Sequence, residues 1–144
     1  MFYDRIVIYF DGASRRNPFG PAGCGWVMYE MDYDGAIIGF IAEGNRYLGY
    51  NVSNNQAEYE GLYYALAYLY DNCIECDRLY IRGDSQVVIN QLDGYYQVRS
   101  PNIIDYYNSV QQFLTAYSFV KYTHIDRSWN IEADELANDA IDYN

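Results

Sequence analysis

Residues 5–18, RIVIYFDGASRRNP, run a series of apolar residues into an acidic residue and then break into a loop. The segment Ile6 to Phe10 is β-branched or aromatic throughout, which is typical of a central strand covered on both faces. Asp11 stands where this strand ends, and Gly12 follows it directly. A carboxylate in that position is held rigidly and partly desolvated, so it can bind a metal ion or shift its pKa. An Asp that only opens a turn is the alternative for this stretch taken alone.

The length and composition predict one domain over residues 1–144, because 51% hydrophobic residues supply enough apolar mass for one core. No apolar run approaches the ~20 residues that span a bilayer, and the N-terminus lacks the basic start and cleavage site of a signal peptide. We therefore expect a cytoplasmic protein without a membrane partner. Cys73 and Cys76 form a lone CIEC pair, which we interpret as two ordinary thiols because zinc normally needs a second pair of ligands.

The net charge of −11 argues against a broad electrostatic grip on a polyanion. It leaves room for a local one. The chain has nine Lys and Arg residues, and the single adjacent pair, Arg15 and Arg16, lies just after Asp11.

Hydrophobic runs and turn signals predict the order β-β-β-α-β-α-α-β-α. The capping-box spacing of Ser53 and Gln56 opens the first helix, which runs to about Asp71. Strands are predicted over residues 6–10, 24–29, 36–42, 78–82 and 119–123, and the later helices over residues 87–92, 102–116 and 131–143. The first three strands have short connections, which indicates an antiparallel meander.

Glu58 lies on the apolar stripe of the first predicted helix, with Leu62, Ala65, Leu66 and Leu69. A core-facing acid is costly unless something neutralises it, and a buried pair with an arginine is the structural alternative to a metal.

Two further acids occupy comparable positions. Asp84 follows a short predicted strand, as Asp11 does, although it would also serve as the N-cap of the next helix. Asp134 shares a face of the last helix with Ala137 and Ile141, although an acid in a first turn also favours the helix dipole. Four carboxylates that converge need cations, and oxygen ligands are those that Mg²⁺ and Mn²⁺ prefer. Paired ions suit in-line attack on a phosphodiester. No P-loop or Cys/His cluster competes with this interpretation.

Four segments resemble the type 1 ribonuclease H family, in the order that the family has. They are YFDGAS with Asn17-Pro18, SNNQAEYE from Ser53 to Glu60, GDSQ from Gly83 to Gln86, and H-x-x-R-x-x-N-x-x-A-D-x-L-A from His124 to Ala137. Any one of these motifs is weak, but together they span almost the whole chain. The resemblance implies an α/β fold, a five-stranded mixed sheet whose first three strands are antiparallel, with helices on both faces.

The resemblance also implies a function, namely metal-dependent cleavage of the RNA strand of RNA–DNA hybrids by two Mg²⁺ or Mn²⁺ ions, giving 5′-phosphate and 3′-hydroxyl ends. No obligatory protein partner is implied. By the same resemblance the metal-binding acids are Asp11, Glu58, Asp84 and Asp134, and His124 assists proton transfer or product release. As the alternative to His124, Arg127 would supply a cation near the phosphate, because the H-x-x-R-x-x-N spacing resembles a compact subgroup of the family. The residues expected to contact the hybrid are Asn17, Asn55 and Gln86.

Two departures from the family pattern are visible. No room exists between residues 92 and 102 for the basic helical protrusion with which many members hold the duplex, so weak binding is expected. The loop Asn17-Pro-Phe-Gly-Pro also has one residue more than the usual N-P-G-P. Two alternatives stay open, a non-catalytic binding module on the same fold and a superfamily nuclease acting on DNA junctions or double-stranded RNA.

Overall fold

Strand β1 (Phe2–Ser14) is the centre of a five-stranded sheet in the computed structural model, which describes all 144 residues. The other strands are β2 (Ala22–Met31), β3 (Ile37–Gly49), β4 (Glu75–Gly83) and β5 (Val120–His124). The helices are α1 (Asn54–Asp71), α2 (Gln86–Leu92), α3 (Pro101–Leu114) and α4 (Ile131–Asp142), and a short 3₁₀ turn covers Arg127–Trp129. None of the helices combines the length and the apolar character that crossing a membrane requires.

The strands lie in the order β3-β2-β1-β4-β5. Neighbours are antiparallel from β3 to β1 and parallel from β1 to β5. This is the predicted mixed sheet, with its first three strands antiparallel. Because β1, β4 and β5 run in the same direction, their carboxyl ends meet at one edge of the sheet. Asp11, Asp84 and His124 all lie at that edge.

The core is divided by the sheet. Ile6, Ile8 and Phe10 of β1 are fully buried in a cluster that also contains buried side chains of α1, α2 and α3. Val7, which alternates with them, lies outside that cluster and is equally buried. Helix α4 covers the other face of β2 with small buried residues, among them Ala133 and Ala137. Helices therefore pack on both faces, as predicted.

Two strands extend well beyond their predicted limits. β1 continues through Asp11 to Ser14, which pairs with Ala22 of β2. β3 continues past Ala42 to Gly49, although its second half is polar, because β2 offers pairing partners along that whole length. The connector between α2 and α3 contains no helix, so the expected absence of a helical protrusion is confirmed.

Candidate active site

Asp11 and Asp84 are neighbours across two parallel strands. Phe10 of β1 pairs with Gly83 of β4, so the residue that follows each of them lies at the same edge. Asp11 is only 4% exposed, whereas Asp84 is half-buried. The backbone N–H of Gly12 donates to Asp11 Oδ1 at 2.8 Å, which fixes that carboxylate.

Glu58 reaches Asp11 because α1 lies unusually close to β1. A Cβ atom on Gly12 would stand 2.3 Å from the backbone nitrogen of Glu58, and one on Gly61 would stand 2.8 Å from the Asp11 carbonyl oxygen. Only glycine permits this approach at either position. As predicted, Glu58 lies on the buried stripe of α1, and it is 6% exposed.

Asp11, Glu58 and Asp84, which we call the acid triad, each place a carboxylate oxygen within 4.8 Å of the other two. None of the three forms an ion pair, since the single ion pair of the protein joins Arg15 to Asp142. The arginine-paired alternative for Glu58 is therefore wrong. Glu58 Oε2 is buried without any hydrogen-bond partner. Three close carboxylates and an unpartnered oxygen are the arrangement that a bound divalent cation would satisfy.

Asp134 is positioned by the first turn of α4 and faces the same cavity as the acid triad. This cavity has a volume of about 390 Å³ and is also lined by Ser14, Asn54 and Arg127. Asp134 does not share the 4.8 Å spacing of the triad, and its Oδ1 accepts a hydrogen bond from Asn138 Nδ2 at 3.3 Å. The structure thus brings three of the predicted acids together and sets the fourth beside them.

Asp84 does not cap α2. The N-cap residue is Ser85, whose hydroxyl accepts from the backbone N–H of Val88 at 3.3 Å. The capping alternative for Asp84 is therefore wrong, and its carboxylate remains directed to the site, where Asn130 Nδ2 donates to it at 3.4 Å.

The carboxyl groups of the triad hold their protons more strongly than usual. Burial raises the pKa of Asp11 to about 7, and the charges of Asp84 and Asp134 add to the effect. Burial, followed by the charge of Asp11, holds the pKa of Glu58 well above its ordinary value. Burial also raises the pKa of Asp84, against the opposing effects of Asn130 and of the Arg127 charge. Without a cation, the site therefore disfavours ionisation of these carboxyl groups.

His124 and Arg127 act on different groups of Asp84, the backbone oxygen and the carboxylate. His124 Nε2 is 3.1 Å from the Asp84 backbone oxygen, and since a carbonyl only accepts, Nε2 carries the hydrogen. Arg127 is exposed and lines the cavity, where its charge acts on the Asp84 carboxylate. His124 does not line the cavity and is exposed at the end of β5.

A family model described as "Reverse transcriptase-like" matches residues 9–140. A relative named Ribonuclease HI, from Halobacterium salinarum, is 41% identical over 138 residues, which is 96% of this chain and 65% of the relative. The crystal structure of RNase H1 from that organism superposes with a TM-score of 0.83 and 41% identity, covering 97% of this chain and 99% of the other.

The chain belongs to the type 1 ribonuclease H family.

A second structure of an RNase H1, the LC11 enzyme in complex with an RNA/DNA hybrid, has a TM-score of 0.82 and 34% identity, and covers 96% of this chain and 97% of the other. The chain is shorter than several curated relatives. It spans 65% of the Halobacterium protein and 36% of the Mycobacterium tuberculosis protein named Bifunctional protein Rv2228c, to which it is 34% identical. Membership of the ribonuclease H family and the acid triad together indicate the use of a divalent metal.

The three residues expected to contact a hybrid occupy different environments. Asn55 and Gln86 are exposed in the first turns of α1 and α2, next to the cavity-lining residues Asn54 and Ser85. The side chain of Asn17 is partly used within the protein, because its Oδ1 accepts from the backbone N–H of Asn54 at 3.1 Å.

Asn130 is a buried site residue to which the sequence analysis assigned no role. Its side chain contacts both Asp84 and β1, and it is 1% exposed. The available signal was its place in the segment from His124 to Ala137, three residues after Arg127. A polar residue directly before a helix is interpreted as an N-cap, and that interpretation gives no indication of a second role.

Proposed function

We propose that this chain is a metal-dependent endoribonuclease that cleaves the RNA strand of RNA–DNA hybrids and leaves 5′-phosphate and 3′-hydroxyl ends, with residues 1–144 acting as one catalytic domain. The observation that carries the proposal is the acid triad, three carboxylates within 4.8 Å of one another of which none forms an ion pair. Sequence identities of 41% and 34% to two RNase H1 enzymes, over nearly the whole chain, support the same reaction.

We assign the metal ligands to the acid triad and Asp134, and we propose two Mg²⁺ or Mn²⁺ ions as the cofactor. Carboxylate oxygens around a water-accessible cavity suit these hard cations, and the unpartnered Glu58 Oε2 is a free ligand atom. Bound divalent cations supply Lewis-acid stabilisation of the charge that develops on a phosphodiester, and they lower the pKa of water.

The exposed side chains around the cavity are assigned to the substrate. Arg127 offers a positive charge where the scissile phosphate would enter. His124 Nε2 is held by the Asp84 carbonyl oxygen, and we assign its imidazole to proton transfer or product release.

Asn55 and Gln86 are assigned to the sugar-phosphate backbone and minor groove of the hybrid, where 2′-hydroxyl groups distinguish RNA from DNA. Asn17 has two roles in this proposal. Its Oδ1 fixes the start of α1, and its Nδ2 is left for the hybrid.

The alternative of a non-catalytic binding module is disfavoured by the triad itself. Mutual repulsion and burial of three carboxylates are costly, and a surface that only binds gains nothing from them. A nuclease for DNA junctions or double-stranded RNA would use similar acids, so substrate choice needs a direct test.

One assay separates these functions. Labelled RNA–DNA hybrid, duplex DNA, duplex RNA, a DNA junction and single strands are incubated with the protein, with Mg²⁺, with Mn²⁺ and with a chelator. We expect cleavage of the RNA strand of the hybrid only, with either cation and not with the chelator. Faster cleavage of a junction or of duplex RNA, or no cleavage of any substrate, would refute the proposal.

A further inference from the structure

Asn130 is a buried polar residue directly before α4, and this position does not explain its burial. It is 1% exposed and is the N-cap residue of α4, yet its side chain makes no capping hydrogen bond. An amide side chain at an N-cap normally satisfies a free backbone N–H, and that would keep it at the surface. The side chain of Asn130 points elsewhere.

The contacts of Asn130 lead to three of the four acid-bearing segments. Its Nδ2 donates to the backbone oxygen of Phe10, the residue before Asp11, at 2.9 Å. The same Nδ2 donates to Asp84 Oδ2 at 3.4 Å. The backbone oxygen of Asn130 accepts from the N–H of Asp134 at 3.1 Å. One residue therefore connects the ends of β1 and β4 to the first turn of α4.

The orientation of the Asn130 amide is fixed by its neighbours. The Phe10 oxygen and the Asp84 carboxylate only accept, so the side chain must present its NH₂ group to them. Its Oδ1 is consequently left buried without a hydrogen-bond partner. Leaving that oxygen unpaired is unfavourable and offsets part of the stability that the two hydrogen bonds of Nδ2 contribute.

We propose that Asn130 is a positioning residue that holds the Asp84 carboxylate in register with Asp11, in the arrangement that a divalent cation requires. Side chains that orient metal ligands act in this way, by fixing the direction of a ligand that they do not replace. The inference rests on the proposed function, since it assumes that Asp84 is a metal ligand.

The test uses Asn130→Ala, which removes the amide, and Asn130→Leu, which removes the donor but fills its space. Mn²⁺ affinity is measured by calorimetry without substrate, and unfolding by urea is measured in a chelator. We expect both variants to bind Mn²⁺ roughly 10–100-fold more weakly than the unaltered protein. We also expect a higher Mg²⁺ concentration at half-maximal cleavage, while the KM for hybrid at saturating Mg²⁺ stays unchanged.

Asn45→Ala is the matched control. Asn45 Nδ2 also ties a strand to α4, by donating to the Leu136 oxygen at 2.8 Å, but it contacts no acid. We expect this variant to keep the Mn²⁺ affinity of the unaltered protein. Variants of Asn130 that lose stability in the chelator but retain Mn²⁺ affinity would overturn the inference.

A measurement on the unaltered protein keeps the inference testable if neither Asn130 variant folds. The side-chain NH₂ resonances of Asn130 are followed by NMR while Mg²⁺ is added, and we expect them to shift as the Asp84 carboxylate takes up the ion. Resonances that stay fixed while the ion binds would overturn the inference. If the Asn130 variants bind Mn²⁺ more weakly but the unaltered protein does not cleave hybrid, the inference is supported and the proposed function is refuted.

Discussion

At the scale of single residues, ionising the acid triad is electrostatically unfavourable when no metal is bound. Asp11 and Glu58 are almost fully buried, and their carboxyl groups face each other and Asp84 without a counter-charge. The pKa of Asp11 rises from 3.8 to about 7, which corresponds to a cost on the order of 4 kcal/mol for ionising it in the metal-free fold. A divalent cation would remove this cost, so metal binding and stability are coupled.

We predict that the metal-free protein loses stability as the pH rises from about 4 to about 7. The folded protein binds more protons than the unfolded chain over that range, because the pKa of Asp11 is raised to about 7 and the pKa values of Glu58 and Asp84 are raised too. The stabilisation that each of these carboxyl groups contributes is complete below its pKa in the unfolded chain. It is lost as the pH rises through its pKa in the folded protein. Urea unfolding in a chelator at several pH values measures the effect.

The Asp11→Asn variant is the control for this pH dependence. It removes the Asp11 titration, so its stability in the chelator should fall less with pH and should equal or exceed that of the unaltered protein above pH 7. A metal-free protein whose stability rises steadily from about pH 4 to about pH 7 would contradict the account of the triad.

The positions of the acids were predictable from local patterns, whereas the contacts of Asn130 were not. Asp11 follows an apolar run inside β1, Asp84 follows β4, and Glu58 falls on an apolar helical stripe. The hydrogen bond from Asn130 to Phe10 joins residues 120 positions apart, and no sequence periodicity reports such a contact.

At the scale of secondary-structure elements, the approach of α1 to β1 determines whether Glu58 reaches Asp11. We predict that Gly12→Ala destabilises the protein by at least roughly 1–3 kcal/mol, because its Cβ would meet the backbone of Ala57 and Glu58 at 2.3 Å. Helix α1 would have to move away from β1 and take Glu58 with it. Chemical denaturation and Mn²⁺ affinity should both show the loss.

Gly39→Ala in β3 is the matched control for Gly12→Ala. A Cβ on Gly39 would come no closer than 3.8 Å to another side chain, so this variant should be close to neutral. If Gly12→Ala were as well tolerated as Gly39→Ala, close packing of α1 on β1 would not be what positions Glu58.

Element types were predictable throughout, and strand limits were less so. The capping box of Ser53 and Gln56 marked the start of α1 correctly, since both of its hydrogen bonds are present. The second half of β3 was missed because an edge strand with a polar sequence, such as Glu43 to Arg46, carries no apolar alternation. Its pairing with β2 is a tertiary effect, and tertiary pairing overrides local propensity.

At the scale of the whole molecule, few cations are free to hold a polyanion. Arg15 is paired with Asp142, and four other arginines lie over aromatic rings of the protein: Arg5, Arg46, Arg78 and Arg82. Of the nine basic residues, this leaves four, namely Arg16, Arg99, Lys121 and Arg127. With a net charge of −11 and no helical protrusion, we expect hybrid binding to depend strongly on bound metal.

We predict a shallow salt dependence of hybrid binding, with a slope of roughly two to four in log affinity against log salt, since each neutralised phosphate contributes about 0.9. Binding should weaken further when Mg²⁺ is withheld. The Asp11→Asn variant, which should not cleave, allows the measurement on intact hybrid. Arg16→Ala should lower the slope more than Arg15→Ala, because Arg15 is already ion-paired. A slope near eight would reveal a basic surface that the structure does not show.

The proposal that the acid triad binds the catalytic metal is tested most directly by the rate of hybrid cleavage by Asp11→Asn at saturating Mg²⁺. The substitution keeps the shape of the buried side chain and removes the charge that would anchor the ions at the acid triad. We predict that cleavage is abolished while the protein remains folded, with thermal unfolding in a chelator as the check. A cleavage rate within about tenfold of that of the unaltered protein would mean a loss of less than about 1.4 kcal/mol of transition-state stabilisation. Such a rate would contradict the assignment of Asp11 as a metal ligand.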